Sequence, residues 1–547
     1  MRYANESYMK NNGIVYTPRA MADYLSNLIL NNTRKLPKDI IHILDPAIGD
    51  GELIISMLFQ LKKRMSKNIQ ISVVGFETNK SSIKNTIQRI KSNFPSVSID
   101  IKNIDFIDFM LRNKKRIDLF DYIIANPPYV RTQILGAEKA QKISSRINLT
   151  GRIDLYYAFL ILAESILKEN GIAGFITSNK FMTIKAGNTV RERLLKNTEI
   201  IRIIDFGDTK LFNAAVLPCI IVFKKGITTF SQAQFTSIYE IFDEEKTLLS
   251  NSIFDVIDTN GFVSLANDRK FEIKQGVLEQ NENNSTWRLA TQNSSNWLKV
   301  VNEKTWKIFS DIGKIKVGIK TTADNVFIKE NWDVEEIIPE LLFPLVTHRN
   351  AGQILPNRNN NWQVLYPYAL QGNKKVTLNV YDYPNTRKYL EEHREQLEKR
   401  EYLIKANRKW YEIWVPQNPL LWKKDKIIFR DITEKPQFWF DKSGAIVNGD
   451  CYWIDLIPSI SKEIVLLALA IANSSFIEKY YDIKYNNKIY AGKRRFMAQY
   501  VSDFPLPDPS HPLSREAIKM VNRIIRTEIF NEEDKAKLDT IVESIFS

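Results

Sequence analysis

The chain has 547 residues, 44% hydrophobic and 26% charged, a balance that excludes the disordered, fibrous and disulfide-stapled classes. Its formal net charge of +14 favours an anionic partner, either nucleic acid or a membrane surface. A lysine-rich, AT-rich genome would give the same excess. Two cysteines, Cys219 and Cys451, exclude a four-cysteine zinc site, and the four histidines show no metal-ligand spacing.

The polarity of the chain predicts a soluble, cytoplasmic protein with no membrane partner, and its residues predict no metal site. Residues 1–13 are polar and lack the apolar core of a signal peptide. The longest strongly apolar run, Ile464 to Ala472, has nine residues, too few to span a bilayer.

Strand-like and helix-like segments alternate through the first 226 residues. Apolar runs predict strands at 40–45, 69–76, 122–125, 172–177, 200–205 and 216–223, and the segments between them predict helices at 51–63, 81–94 and 155–169. Such alternation predicts an α/β domain with a largely parallel sheet, which binds ligands just past the carboxyl ends of its strands.

The alternation fades after residue 226. The polar stretch 281–296 predicts a surface connector, and the part beyond it is rich in Trp, Tyr, Lys and Arg. Residues 386–407 predict one long charged helix with a solvated face. We therefore expect two domains, residues 1–290 and residues 291–547.

Two sequence features point to a nucleoside site at the predicted strand ends. Asp45-Pro46-Ala47-Ile48-Gly49-Asp50-Gly51 follows the first strand, and its glycines allow a tight turn close to a ligand. Glu77 ends the next strand, where a carboxylate accepts from ribose hydroxyls. Taken alone, the turn is common, and Glu77 also fits a solvated loop acid.

Two further motifs carry acceptors and aromatic rings. In Asp105-Phe106, the carboxylate would accept from an adenine amino group while the ring stacks on the base. Asn126-Pro127-Pro128-Tyr129 follows the strand at 122–125 and forms a rigid loop, because two successive prolines fix the backbone. Its amide oxygen, carbonyls and tyrosine ring are suited to hold a planar amine.

The order of these motifs resembles that of the gamma-class, Taq-type N6-adenine-specific DNA methyltransferases of restriction–modification systems. The segment 13–19, with Tyr16, Thr17 and Pro18, is similar to the N-terminal cofactor motif of that family. Residues 154–159 resemble the helix that lines the cofactor's adenine pocket. Lys210-Leu211-Phe212 resembles the segment bearing the second aromatic residue of the target-base pocket. One departure is Ile48, where the family commonly has Cys or a small residue.

The resemblance implies a Rossmann-like S-adenosylmethionine-dependent methyltransferase domain followed by a mixed α+β DNA-recognition domain. The enzyme would methylate the N6 amine of an adenine flipped out of duplex DNA. The implied catalytic residues are Asn126, Pro127, Pro128, Tyr129 and Phe212. The implied cofactor-binding residues are Tyr16, Thr17, Pro18, Asp45, Pro46, Ala47, Gly49, Gly51, Glu77, Asp105, Phe106, Asn126 and Asp154. A cognate restriction endonuclease would act separately, and the enzyme would be a cytoplasmic protein of a prokaryote.

Contacts to duplex DNA are expected in the second half of the chain. The stretch Lys484 to Phe496 has five cations and no acid, which suits phosphate contacts, although a solvated basic surface has the same composition. Residues 344–350 are similar to a weak motif of the family's recognition domain. The candidate DNA-binding residues are Arg349, Asn350, Lys484, Lys488, Lys493, Arg494 and Arg495.

Three alternatives stay open from the sequence alone. Asn-Pro-Pro-Tyr loops also occur in methyltransferases that act on RNA or on protein glutamine, but those usually carry smaller appendages. Asp268 with Glu272 and Lys274 faintly suggests the metal site of a fused nuclease. The third alternative is a DNA-binding protein without catalysis, which the filled catalytic positions argue against.

Overall fold

The computed structural model describes residues 17–65, 69–113, 119–129, 137–147, 154–207, 209, 217–227, 232–241, 247–279, 287–333, 335–357, 361–485 and 493–547. The chain forms two compact units. Unit one comprises Met1–Gln292 with Tyr485–Gly492, and unit two comprises Asn293–Lys484 with Lys493–Ser547. The expected assignment of catalysis to residues 1–290 and recognition to 291–547 stays a prediction.

The described part of unit one is organised around a twelve-stranded sheet with the order β3-β2-β1-β4-β5-β7-β6-β8-β11-β10-β9, and β12 pairs with β11. The strands are β1 Ile40–Asp45, β2 Gln70–Phe76, β3 Ser98–Lys102, β4 Phe120–Ala125, β5 Leu167–Ser178, β6 Thr198–Asp205, β7 Pro218–Lys225, β8 Gln234–Ile241, β9 Leu248–Ser250, β10 Gly261–Leu265, β11 Lys270–Glu279 and β12 Arg288–Ala290. Strands β1 to β5 run parallel to one another, whereas β7 runs antiparallel between β5 and β6. The predicted α/β alternation is confirmed, but the sheet continues well past residue 226.

The helices of unit one cover both faces of this sheet with two apolar clusters. They are α1 Arg19–Asn31, α2 Glu52–Lys62, α3 Lys80–Asn93, α4 Phe106–Arg112, α5 Ala137–Ile147, α6 Leu155–Glu164, α7 Asn188–Asn197 and α8 Ile253–Val256. The predicted helix at 155–169 ends earlier, at Glu164, because β5 begins at Leu167 and Lys168 on it pairs with Asp121 of β4 at 2.9 Å.

Unit two contains two four-stranded sheets, β14-β24-β20-β22 and β15-β17-β16-β23, among its described residues. Its strands are β13 Lys307–Ile308, β14 Gly313–Val317, β15 Ile328–Lys329, β16 Leu342–Val346, β17 Gln363–Leu365, β18 Tyr368–Gln371, β19 Lys374–Thr377, β20 Lys426–Arg430, β21 Ile432–Thr433, β22 Phe438–Asp441, β23 Ile446–Val447, β24 Cys451–Leu456, β25 Arg494–Arg495 and β26 Pro505–Leu506. Its helices are α9 Gln292–Lys304, α10 Asp324–Phe327, α11 Pro384–Glu392, α12 Arg394–Glu398, α13 Glu401–Lys405, α14 Lys462–Ala472, α15 Ser475–Tyr485, α16 Ala498–Val501, α17 Pro512–Thr527 and α18 Glu532–Phe546.

Two predictions for this half are wrong in the described residues. The second part of the predicted connector at 281–296 is ordered structure, since Trp287 is buried, β12 follows it, and α9 begins at Gln292. The predicted helix at 386–407 is broken into α11, α12 and α13. Arg400, at the last break, is buried and donates hydrogen bonds to backbone carbonyls instead of facing solvent.

Where the structure describes the chain, no single helix is long and apolar enough to cross a membrane. One pair bent by 70°, α14 with α15, meets that criterion jointly by length and composition.

Candidate active site

Three polar side chains end neighbouring parallel strands and share one edge of the sheet. Asp45 ends β1, Glu77 follows β2, and Asn126 follows β4. Leu44 lies opposite Ile123 in the β1–β4 pair, and Asp45 lies opposite Gly75 in the β1–β2 pair. The sheet therefore brings together residues that are far apart in sequence, at the edge where such folds bind ligands.

The glycine turn between β1 and α2 has a backbone that only glycine adopts without strain. Gly49 and Gly51 have φ of +52° and +81°, in the left-handed region. A Cβ at Gly49 would meet nothing nearer than the Ala47 carbonyl oxygen at 3.9 Å, so space is open on this side of the turn. Ile48, the departure from the family pattern, packs against Gly75, where the missing side chain leaves room for it.

Asp45 has a buried carboxyl group, of which only one oxygen is hydrogen-bonded within the described residues. Its Oδ1 accepts from Ala47 N at 2.9 Å, whereas Oδ2 has no hydrogen-bond partner in the described part of the chain. Burial raises the pKa of Asp45 to about 8, and the carboxylates of Glu77 and Asp50 add to the rise. A ligand that brought positive charge or a hydroxyl donor to Oδ2 would relieve this cost of burial.

The Glu77 carboxylate is oriented by its own loop. Its Oε1 accepts from Thr78 N and Asn79 N, each at 2.7 Å. Asn103 Nδ2 donates to the Glu77 carbonyl at 3.2 Å, which ties this loop to the one after β3. Two backbone donors on one oxygen hold the side chain in place, so that Oε2 is positioned to accept from a ligand.

Asp105 and Phe106 begin α4, and their geometry is mainly structural. Asp105 Oδ1 caps the helix by accepting from Asp108 N at 3.0 Å. Phe106 is 1% exposed and packs against Phe76 and Phe159, with ring centroids 5.2 and 5.5 Å away. Its predicted stacking on the cofactor's adenine stays a prediction. Asp154, half-buried, precedes α6 without capping it through its side chain.

Both polar atoms of the Asn126 side-chain amide are hydrogen-bonded. Its Nδ2 donates to Thr17 Oγ1 at 3.1 Å, and its Oδ1 accepts from the Tyr129 hydroxyl at 3.0 Å. Burial raises the pKa of Tyr129 well above its usual value, so the phenol keeps its proton and remains a donor. Pro127 is buried and Pro128 is half-buried beside them. The loop thus presents a fixed amide oxygen and an aromatic ring past the end of β4.

Thr17 is positioned by the start of α1. The Pro18 carbonyl accepts from Ala22 N at 3.0 Å, and Arg19 bonds Asp23 at 2.9 Å and Glu52 at 3.1 Å. Because Glu52 is the first residue of α2, this contact ties the start of α1 to the glycine turn. Sequence reasoning placed Thr17 in a cofactor motif but missed its bond to Asn126, since the two are 109 positions apart.

Two predicted residues of this site, Tyr16 and Phe212, lie outside the described residues. Asn179, which the sequence did not single out, bonds to residues on both sides of the segment 210–216. Its Nδ2 donates to the buried Asp205 at 2.9 Å, and its backbone N donates to the Leu217 carbonyl at 3.0 Å. The Tyr239 hydroxyl also donates to Asp205, at 2.8 Å. Cys219 is buried in β7, as expected for a core residue.

In unit two, Arg349 and Asn350 differ in their freedom to reach a ligand. The Arg349 side chain is 56% exposed, lies over the Trp362 ring at 5.0 Å, and is 3.7 Å from Glu330. Asn350 closes a turn, because its Oδ1 accepts from Thr347 N at 2.9 Å. Arg349 therefore remains a candidate for DNA contact, whereas Asn350 shapes the backbone that carries it.

The cations of the predicted basic loop also differ from one another, because some are bound to neighbouring side chains and one is exposed. Arg494 forms a two-point bond with Asp482, each contact 2.8 Å, and Arg495 pairs with Asp431 at 3.1 Å. Lys484 donates to the Tyr480 hydroxyl at 2.6 Å and lies 3.4 Å from Asp503. These contacts favour structural roles. Lys493 is exposed, and Lys488 lies outside the described residues.

The geometry does not favour the fused nuclease. Glu272 pairs with Lys274 of the same strand at 2.8 Å, and Asp268 lies in the turn between β10 and β11. Among the residues that the structure describes, no group of three or more His, Cys, Asp or Glu side chains is placed to hold a metal ion.

Comparison with known proteins decides the family. The family model for the Eco57I restriction-modification methylase matches residues 51–212, and that for the TaqI-like C-terminal specificity domain matches residues 369–506. The Type II methyltransferase M.BanIII of Aneurinibacillus aneurinilyticus is 37% identical over 98% of this chain and 96% of its own length. This chain belongs to the Type II methyltransferases of restriction–modification systems.

Two further comparisons show lower identity. The Type II methyltransferase M.PaeR7I of Pseudomonas aeruginosa is 23% identical over 94% of this chain and 89% of its own length. The solved DrdV–DNA complex superposes with a TM-score of 0.58 at 11% identity, covering 96% of this chain and 59% of that one. At this identity the likeness shows the fold alone. The resemblance and the fold class that the sequence predicted are both confirmed.

Proposed function

We propose that this Type II methyltransferase transfers a methyl group from S-adenosylmethionine to the N6 amine of an adenine within a specific sequence of duplex DNA. The observation that carries the proposal is the Asn126 amide, whose two ends are fixed by Thr17 and Tyr129. The amide oxygen and the neighbouring Pro127 carbonyl form a pair of acceptors suited to an amine with two hydrogens. The substrate is DNA because the chain carries a TaqI-like specificity domain and a charge of +14.

The residues at the strand ends fit the cofactor. S-adenosylmethionine supplies a methyl group on a positively charged sulfonium, which is already electrophilic. The open side of the turn at Gly49 leaves room for a ligand, and the spare oxygens of Asp45 and Glu77 would accept from its ammonium and ribose hydroxyl groups. Thr17 is held between the start of α1 and Asn126, next to this turn.

Asn126 would act on the amine itself. The adenine amine is a poor nucleophile because its lone pair is delocalised into the ring. Acceptance of both hydrogens by Asn126 Oδ1 and the Pro127 carbonyl favours a pyramidal nitrogen and stabilises the positive charge that grows there. The new N–C bond forms as the S–C bond breaks, and an amine proton is then lost to water. No covalent enzyme intermediate is needed.

Access to the amine requires the base to leave the duplex. The Tyr129 ring would stack on the flipped adenine, with Phe212 as the predicted opposite wall, and stacking of this kind contributes about 1–3 kcal/mol per base. The proposed role is protection of host DNA from a restriction endonuclease encoded separately.

Analysis of the modified nucleoside tests this function. Purified enzyme and isotopically labelled cofactor are incubated in separate reactions with genomic DNA, RNA or protein from an unmethylated host. The products are digested to nucleosides or amino acids and analysed by mass spectrometry. We expect labelled N6-methyldeoxyadenosine in DNA and no label in RNA or protein. Labelled N4-methyldeoxycytidine would contradict the adenine assignment, and label confined to RNA or to glutamine would contradict DNA as the substrate.

A further inference from the structure

Two large aromatic side chains are exposed together on unit two. Tyr402 is 40% and Trp414 is 38% exposed, and their rings meet edge to face with centroids 4.9 Å apart. The Tyr402 hydroxyl donates to Thr322 Oγ1 at 2.5 Å. We call Thr322, Tyr402 and Trp414 the aromatic platform. Adjacent exposed aromatic rings are characteristic of binding surfaces, because water solvates their faces poorly.

The platform is held rigidly by two arginines beneath it. Arg400, 5% exposed, donates to the carbonyls of Leu397, Thr321, Trp410 and Glu412 at 2.5 to 3.1 Å. Arg408 donates to the Trp414 carbonyl at 2.8 Å and pairs with the Glu412 carboxylate at 3.0 Å. Both aromatic residues are therefore presented in a fixed arrangement, which lowers the entropy lost when a partner binds.

The backbone at the platform is strained at an exposed position. Thr322 has φ of +60°, a left-handed conformation that is unfavourable for a β-branched residue. The Thr321 carbonyl is bonded to Arg400 and the Thr322 hydroxyl to Tyr402, so the surrounding contacts maintain this conformation. Strain of this kind is concentrated at sites that bind ligands or partners.

Exposed cations flank the platform. Lys320 pairs through its backbone with Val415, next to Trp414, and Lys409 begins the turn that leads to Trp414. Both lysines are exposed, and neither forms an ion pair within the described residues; the Lys409 ammonium lies over the Tyr411 ring, 5.6 Å from its centre. The neighbouring lysines Lys399 and Lys405 are paired with Glu395 and Glu401 of their own helical segments, at 2.9 Å. Lys320 and Lys409 thus lie on the backbone segments that lead to and pair with the segment of Trp414.

We propose that the aromatic platform contacts the sugar–phosphate backbone of duplex DNA, with the rings against deoxyribose and with Lys320 and Lys409 on phosphates. The inference rests on the proposed function in taking DNA as the substrate. Charge complementarity favours a polyanion over a protein partner or a second copy of this chain. The platform differs from the predicted basic loop, where Arg494 and Arg495 are already bound to carboxylates.

Binding of a fluorescent duplex of random sequence, measured by anisotropy across a salt series, tests this inference. One variant carries Lys320→Gln with Lys409→Gln, and another carries Tyr402→Ala with Trp414→Ala. The matched control removes two exposed lysines from α15 and α18, Lys479→Gln with Lys537→Gln, each of which is paired with a glutamate. All these side chains are exposed, and thermal melting verifies that each variant is folded.

We expect the Lys320/Lys409 variant to reduce the magnitude of the log–log salt slope by up to about 1.8, since each phosphate contact adds about 0.9. The aromatic variant should bind about tenfold more weakly at each salt concentration with little change of slope. The control should behave as wild type.

Wild-type binding and slope in both platform variants would overturn the inference. It would also be overturned if light scattering showed a wild-type oligomer that the aromatic variant loses, because the platform would then join two copies of the chain. Failure of the proposed function is distinguishable: a wild-type enzyme that binds duplex DNA but never methylates it would refute the function, while the binding series would still decide the role of the platform.

Discussion

The raised pKa of Asp45 predicts that cofactor binding depends on pH and releases a proton. The carboxyl is 1% exposed, and its pKa of about 8 means that it is mostly protonated at neutral pH. If Oδ2 receives the cofactor's positive charge, Asp45 must ionise on binding. Affinity should then rise about tenfold for each pH unit below the pKa, because ionisation costs about 1.4 kcal/mol per unit. From pH 5.5 to pH 7 the expected gain is about 30-fold.

Titration calorimetry measures both the cofactor affinity and the number of protons released on binding. S-adenosylmethionine is titrated into the enzyme at pH 7 in two buffers that differ in ionisation enthalpy, and the difference gives the number of protons released. We expect about 0.9 proton per cofactor from a group with a pKa near 8. Asp45→Asn cannot ionise and should release close to none, with weaker binding that changes little with pH. Equal proton release from Asp45→Asn and wild type would refute this role for Asp45.

Three further predictions concern stability and the DNA-binding surface. The folded pKa of Asp45 lies above its ordinary value of 3.8, so the stability of the ligand-free enzyme should fall as pH rises from about 4 to about 8, and Asp45→Asn should flatten this trend in melting temperature. Arg494→Ala should lower the free energy of unfolding by about 2–3 kcal/mol in urea titration, because it removes the two charge-assisted hydrogen bonds to Asp482, whereas Lys493→Ala should be neutral. Thr322→Gly should relieve the backbone strain at this position and therefore keep or raise the melting temperature. It should weaken duplex binding, because the Tyr402 hydroxyl loses its partner. A large fall in melting temperature would contradict the inferred strain.

The polar edge of the sheet that forms the candidate active site was predictable because its signals are local. A strand that ends in Asp45 and turns at Gly49, and a strand that ends in Asn126 before two prolines, each fix a short piece of backbone. Burial of Cys219 followed from its position in an apolar strand.

Interactions across long sequence separations were not predictable in the same way. The bond from Thr17 to Asn126 exists only once α1 and β4 are packed, and the contacts of Asn179 to Asp205 and Leu217 arise in the same manner. For a related reason, the distribution of charged residues along the sequence does not reveal the partners of these charges. Arg400 and Arg494 are indistinguishable from solvated cations in sequence, but the fold surrounds one with carbonyls and the other with carboxylates.

The proposed role of Asn126 is tested most directly by a single-turnover measurement of methyl transfer by Asn126→Ala, with saturating DNA and cofactor. The variant loses the amide oxygen that the structure holds between Thr17 and Tyr129. We expect the rate to fall by at least about 100-fold, as when a preorganised oxyanion-hole donor is removed, while the melting temperature and cofactor affinity stay close to those of wild type. A normal transfer rate in folded, cofactor-bound Asn126→Ala would contradict the proposed role of this amide in catalysis.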